Sequence, residues 1–260
     1  MWCNWNGNIV EHISFNQANR SFKYGDGLFE SMRIFNGKIF NREAHENRLD
    51  QGLVLLKMSL KKPIALLFDE VEELLLKNNI DKGGFARLML FRDSKGTFTP
   101  DSNQAAYFIE CTSNESNQFE LEENEIETVV FLDYKKPISK LSNIKSNNAL
   151  LYVLASIYAE EQGVDDAFLI NENDYIIEST NANIFLLKEG QLLTPPLNDG
   201  ALDGTLRKLI LQHFKVEERS ISKEDVEHAD EVFLTNAHGV RWMKGSVKAK
   251  EVVQKLNSLI

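Results

Sequence analysis

The chain has 260 residues, 43% apolar and 26% charged, with a formal charge of −10. That length suits one large domain or two modest ones, and the composition is that of an ordinary globular protein. No basic patch stands out against the acidic balance, which sets aside a nucleic-acid binder. The two cysteines, Cys3 and Cys111, make no Cys-x-x-Cys pair, so metal and redox motifs are absent. No apolar run approaches the roughly 20 residues of a membrane span, and the N-terminus lacks a charged and then apolar leader. A cytoplasmic protein is expected.

Residues 7–13 predict a short strand, and 19–27, polar and glycine-bearing, a loop. Residues 28–35 predict a strand. Asn36-Gly37 follows, the strongest short hairpin signal, and 38–40 return. Helical spacing of Ala44, Leu49, Leu53 and Leu56 predicts a helix from Arg42, and Pro63 opens a second over 64–78. Strands are expected at 84–92 and 105–112, with a loop over 93–100. The acidic stretch around Glu120, Glu122 and Glu123 reads as a solvated connector. Domains are therefore expected at 1–113 and 126–260, with 114–125 as linker.

The second half opens with a strand over 126–132. A helix is predicted from Lys145 to about Gln162, its apolar face carrying Ala149, Leu150, Val153, Leu154, Ile157 and Tyr158, and Gly163 closes it. Strands follow at 166–170, 175–178, 183–187 and 191–194. Then come a helix over 204–214, a strand over 215–219, a helix capped by Ser222 with Asp225, strands at 231–235 and 241–247, and a closing helix.

Three features carry chemistry. Lys145 opens a predicted helix, whose N-terminal field, with burial, is expected to lower the pKa of its amine. Glu178 lies between apolar strand runs. Gly204-Thr205 opens another helix, whose N-terminal N–H groups suit an anion. An amine, a carboxylate and an anion cradle are what pyridoxal phosphate asks of a protein.

The motifs and their order resemble the class IV, or fold-type IV, pyridoxal-phosphate enzymes. They are Y-G-D-G-L-F-E (24–30), H-x-x-R-L (45–49), I-K-S-x-N (144–148), E-S-x-x-x-N-I-F (178–185), T-P-P (194–196), G-T-L-R (204–207) and A-D-E-V-F-L-T-N-A (229–237). The resemblance spans about Ser21 to Met243. It implies a two-domain α+β fold like that of D-amino acid aminotransferase, with the cofactor in the interdomain cleft, and a homodimer. It implies a Schiff base on Lys145, the ring nitrogen on Glu178 and the phosphate on Arg48 and the backbone of Thr205 and Leu206. Leu202 would pack on the ring, and Asn183 and Asn236 would serve the same site.

The family's usual Gly-Ile-Thr-Arg is Gly-Thr-Leu-Arg here, and Ala237 stands where many transaminases carry a threonine. Branched-chain enzymes place a tyrosine five residues after the lysine, where this chain has Leu150. Ser31 supplies a hydroxyl where lyases of the family tend to carry one, as a catalytic helper. These departures favour aminodeoxychorismate lyase, which forms 4-aminobenzoate and pyruvate for folate synthesis. A class IV aminotransferase acting on D-amino acids or branched-chain amino acids is the alternative. Arg87, Arg92, His238, Arg241 and Lys244 are candidates for substrate carboxylates, and spacing does not choose among them.

Overall fold

The computed structural model describes all 260 residues, Met1–Ile260. The chain forms two compact units, one of residues 1–118 with 144–148, the other of 119–143 with 149–260.

The first unit holds β1 (Cys3–Trp5), β2 (Asn8–Val10), α1 (Arg20–Tyr24), β3 (Gly27–Phe35), β4 (Lys38–Ile39), α2 (Arg42–Leu55), α3 (Ile64–Lys77), β5 (Gly83–Arg92) and β6 (Ala105–Asn114). Its six strands form one antiparallel sheet in the order β2-β1-β6-β5-β3-β4. Asn36 and Gly37 turn β3 into β4 with φ of 51° and 68°, the left-handed pair such a tight hairpin needs. The strand expected over 7–13 is present but shorter, as β2, and it pairs with β1 in a hairpin that was not expected. The stretch expected as loop contains α1, because the Asn19 side chain accepts from the Phe22 N–H and Gly25 closes the turn at φ 64°. Leu28, Met32 and Ile34 of β3 meet Leu49, Leu53, Leu67, Val71 and Leu74 of α2 and α3 in one buried layer.

The second unit holds β7 (Thr128–Lys136), α4 (Lys140–Asn143), α5 (Leu150–Gln162), β8 (Asp166–Asn171), β9 (Ile176–Ser179), β10 (Asn183–Lys188), β11 (Gln191–Thr194), α6 (Thr205–His213), β12 (Val216–Glu218), α7 (Lys223–Glu227), β13 (Glu231–Asn236), β14 (Gly239–Lys244) and α8 (Val247–Asn257). Its sheets run β12-β11-β10-β13-β14 and β7-β8-β9. Phe185 and Phe233, paired across β10 and β13, stack with centroids 5.3 Å apart, a contact worth roughly 0.5–1.5 kcal/mol beyond its buried area. Ser222 and Asp225 form the expected reciprocal cap of α7.

Helix α5 lies differently from expectation. Its alanines, Ala155 and Ala159, make the buried seam against Phe131 and Leu169, while Leu150, Val153 and Ile157 stay 66%, 50% and 45% exposed. The helix carries apolar residues on more than one face, and the small side chains are the ones that let it approach β7 and β8 closely.

Candidate active site

In the first unit the site grows from β3. Alternation places Glu30 on the same side as Leu28 and Met32, inside the helix-facing layer. A carboxylate there must be paired, because its desolvation costs several kcal/mol. His45 and Arg48, three apart on α2, supply the pairing. Arg48 Nε donates to Glu30 Oε1 at 2.8 Å, Arg48 Nη2 grips Oε2, and His45 Nδ1 lies 2.6 Å from Oε2. Burial alone would push Glu30 up, but the Arg48 guanidinium and the His45 hydrogen bond bring it down to about 2. Burial pushes His45 below its ordinary range against the pull of Glu30, with the charges of Arg48 and Lys145 adding to the fall. A neutral imidazole facing an ionised carboxylate must carry its proton on Nδ1.

The opposite face of β3 carries Phe29 and Ser31. Lys145 reaches it through the segment 144–148. The Phe29 N–H donates to the Lys145 carbonyl at 2.9 Å, the Asn147 N–H donates to the Gly27 carbonyl at 2.9 Å, and Ser146 bridges Leu28. A Cβ on Gly27 would lie 2.3 Å from Asn147 Nδ2, so only glycine lets the segment dock here. Lys145 therefore does not open a helix: α5 starts at Leu150, and the helix field invoked for the amine acts elsewhere. Pairing to a strand distant in sequence displaces the expected helix start. Lys145 Nζ lies 4.4 Å from the centre of the Phe29 ring and the Arg87 guanidinium 4.7 Å from it. Ser31 stands opposite Arg87 in the β3–β5 register.

Of the five substrate-side candidates, Arg87 is the one whose side chain makes no hydrogen bond or ion pair in the protein. Arg92 is bound to Asp26, Asn103 and the Leu56 carbonyl, Arg241 to Asp166 and Asn181, and Lys244 to the Glu227 carbonyl. His238 donates its backbone N–H to Asn236 Oδ1. Arg87 forms no ion pair or hydrogen bond within the protein; its guanidinium rests on Phe29.

In the second unit, Glu178 of β9 is buried. Its Oε1 accepts from Lys136 Nζ at 2.5 Å and Tyr152 Oη at 2.7 Å, and its Oε2 from the Leu202 N–H at 2.7 Å. Burial first, then the Glu178 charge, pushes the Tyr152 phenol well above its ordinary range, so it stays a neutral donor. Leu202 is thus fixed through its backbone, and its carbonyl accepts from Asn183 Nδ2 at 2.9 Å. Helix α6 starts at Thr205, as expected, after Gly204. A Cβ on Gly204 would fall 1.9 Å from Asn183 Oδ1, which explains the glycine. Asn183 pairs across the sheet with Thr235, whose buried hydroxyl has no hydrogen-bond partner in the protein; nor does that of Ser179. Asn236 donates to the Asn181 carbonyl and side chain, tying the β13–β14 turn to the residues after Glu178.

Lys136, Tyr152 and Thr235 were not singled out by sequence. Lys135-Lys136 reads as solvated charge, and Tyr152 as one apolar residue of a helix. Thr235 sits inside the matched A-D-E-V-F-L-T-N-A run, so the motif could have drawn attention to it.

The family model for amino-transferase class IV matches residues 27–242. This chain belongs to that family. It is 31% identical over 218 residues to a Methanocaldococcus jannaschii protein named "Putative branched-chain-amino-acid aminotransferase", covering 82% of this chain and 75% of that one. It is 26% identical to the D-alanine aminotransferase of Staphylococcus haemolyticus, covering 87% and 83%. A Legionella pneumophila structure named "Putative 4-amino-4-deoxychorismate lyase" superposes with a TM-score of 0.87 at 24% identity, covering 96% of this chain and 97% of that one. The fold is that of the fold-type IV enzymes, and pyridoxal phosphate is the family's cofactor. The residues present fit it. The second unit offers a held carboxylate, a glycine-opened helix start and an orphaned buried hydroxyl, and buried polar atoms of that kind call for a partner. The first offers the amine.

Proposed function

We propose that this class IV enzyme is a 4-amino-4-deoxychorismate lyase, releasing 4-aminobenzoate and pyruvate in folate synthesis. The observation that carries the reading is the face of β3, where a serine hydroxyl and an unclaimed arginine stand in register beside Lys145. The substrate carries two carboxylates and an enolpyruvyl ether oxygen. Arg87 matches a carboxylate, and Ser31 offers a proton donor to the leaving oxygen.

Pyridoxal phosphate, when bound, supplies an aldehyde that captures amines and a ring that accepts electrons. Lys145 would hold it covalently, and Glu178 would face its ring nitrogen. The N–H groups of Thr205 and Leu206, the Thr235 hydroxyl and Arg48 would take its phosphate. Arg48 reaches that role already oriented by Glu30. Released from the cofactor by the substrate amine, Lys145 would remove the proton from the amine-bearing carbon; Ser31 would protonate the leaving oxygen as the carbon–oxygen bond to the enolpyruvyl group breaks, and the ring would become aromatic. No oxidant or second substrate is needed. Leu202, Asn183 and Asn236 would support the cofactor pocket.

The exposed stripe Leu150, Val153 and Ile157, with Leu132 and Tyr134 also exposed in the same unit, supports a homodimer that buries them. Both cysteines are free thiols, which supports a reducing, cytoplasmic setting.

The test supplies aminodeoxychorismate to the purified, cofactor-loaded protein without any keto acid. Formation of 4-aminobenzoate with equimolar pyruvate is expected. The relatives named as branched-chain and D-alanine aminotransferases carry the second reading. Rapid conversion of the cofactor to its amine form by leucine, glutamate or D-alanine, with no 4-aminobenzoate, would replace the lyase by an aminotransferase.

A further inference from the structure

We propose that Lys136 is a positioning residue for Glu178: with Tyr152 it fills one carboxylate oxygen, Oε1, and so presents the other, Oε2, to the cofactor's ring nitrogen. The inference rests on the role given to Glu178 above.

Lys136 ends β7 just before Pro137 and is buried. A buried ammonium is retained only where its protons find acceptors. Here Nζ donates to the Ser142 carbonyl at 2.9 Å and to Glu178 Oε1 at 2.5 Å, and it lies 5.4 Å from the centre of the Tyr152 ring. Those partners come from three different elements, α4, β9 and α5, so the ammonium is held from several directions. The Ser142 carbonyl is itself placed, because Ser142 Oγ donates back to the Pro137 carbonyl at 2.5 Å.

Tyr152 delivers its hydroxyl to the same oxygen at 2.7 Å and remains a donor throughout the working range. Each carboxylate oxygen offers about two lone-pair sites. Oε1 therefore has both filled by side chains, and Oε2 has one filled by the Leu202 N–H. The remaining acceptor position lies on Oε2, beside the backbone of the leucine expected against the ring. Lys136, Tyr152 and the Leu202 N–H are the groups that meet the Glu178 carboxylate. On its own strand the next residue is Ser179, whose hydroxyl has no partner in the protein.

The experiment uses the full chain loaded with pyridoxal phosphate, as wild type and as Lys136→Met, Lys136→Arg, Tyr152→Phe and Glu178→Gln. The readouts are cofactor fixed to Lys145 by borohydride and the pH midpoint of the bound cofactor's visible band. Lys136→Met should still fix cofactor, but its midpoint should rise by about one unit, because losing a neighbouring cation favours the protonated form of the cofactor. Lys136→Arg should return the midpoint toward wild type. Tyr152→Phe should shift it less, through looser placement of the same oxygen.

An unmoved midpoint in Lys136→Met with wild-type kcat overturns the proposal, as does failure of arginine to restore it. Should Lys136→Met not fold, an unmoved midpoint in Tyr152→Phe overturns it instead. Glu178→Gln separates the two layers. If that variant keeps the wild-type band and turnover, the role of Glu178 itself is wrong. If it changes both while Lys136→Met changes neither, only the inference about Lys136 fails.

Discussion

Each unit contains a buried glutamate gripped by a cation and a ring-bearing side chain, and the two clusters differ in where their donors come from. Glu30 has both oxygens engaged by Arg48 and its Oε2 also by His45. Glu178 has its side-chain donors on one oxygen and a single backbone N–H on the other. All three donors to Glu30 are side-chain groups of one helix, and the carboxylate works as an internal brace that orients Arg48. The donors to Glu178 come from a strand, a helix and a loop backbone, and they place the carboxylate rather than the cation. Burial, charge and the number of donors are nearly the same in both, so none of them alone separates a brace from a site.

Substitutions can break or sharpen that contrast. The largest effect is expected at Lys145: Lys145→Ala should lose all borohydride-fixable cofactor and all turnover, while free cofactor is still retained. Persistent covalent labelling would move the amine to another lysine. Next comes the brace. Glu30→Gln leaves the Arg48 charge buried without its counter-ion, which typically costs about 3–5 kcal/mol, seen as a lower midpoint in chemical denaturation. The same carboxyl predicts an acid limb. Its folded value of about 2 lies below its ordinary 4.5, so its contribution is present above the ordinary value and is lost as pH falls from there toward 2. That is about 3 kcal/mol by linkage, and Glu30→Gln should flatten the limb. A variant as stable as wild type at pH 7 would deny the brace.

Glu178→Gln should fold and keep its cofactor yet slow turnover about 100-fold, the usual loss for one transition-state charge contact. Near-wild-type turnover would make Glu178 a second brace. The smallest effect is expected at Arg87, where Arg87→Met should raise KM about 10- to 100-fold for the loss of one charged hydrogen bond, with kcat changed less. An unchanged KM would remove it from the substrate's carboxylate.

Much of this was legible where the cause is local. Asn36-Gly37 turns because both residues accept positive φ, and α6 starts after Gly204. The α7 cap needs only Ser222 and Asp225. The candidate site residues Lys145, Glu178 and Arg48 come from motif order rather than physics. What stayed hidden depends on distant partners. Lys145 leaves its expected helix because Leu28 and Phe29 pair with its neighbourhood. The seam of α5 could not be chosen from its several apolar faces without the sheet it packs on. Lys136 looks like surface charge until Glu178 is placed beside it.

The segment 144–148 also bears on how the chain is made. It docks along the first half of β3, yet it is encoded after a stretch of the second unit. On a ribosome, the first unit cannot be completed when residue 118 emerges; it must wait for Asn148. Until then the outer side of residues 27–29 has no bonding partner from this segment, and the lysine that would carry the cofactor has not been set. A split gene cut after residue 118 would inherit the same problem: its N-terminal fragment would lack five residues of its own unit. A cut in the exposed loop over 93–100 would be no better, since β5 and β6 must then pair between fragments. The placement of Lys145 is thereby tied to synthesis well past the middle of the chain.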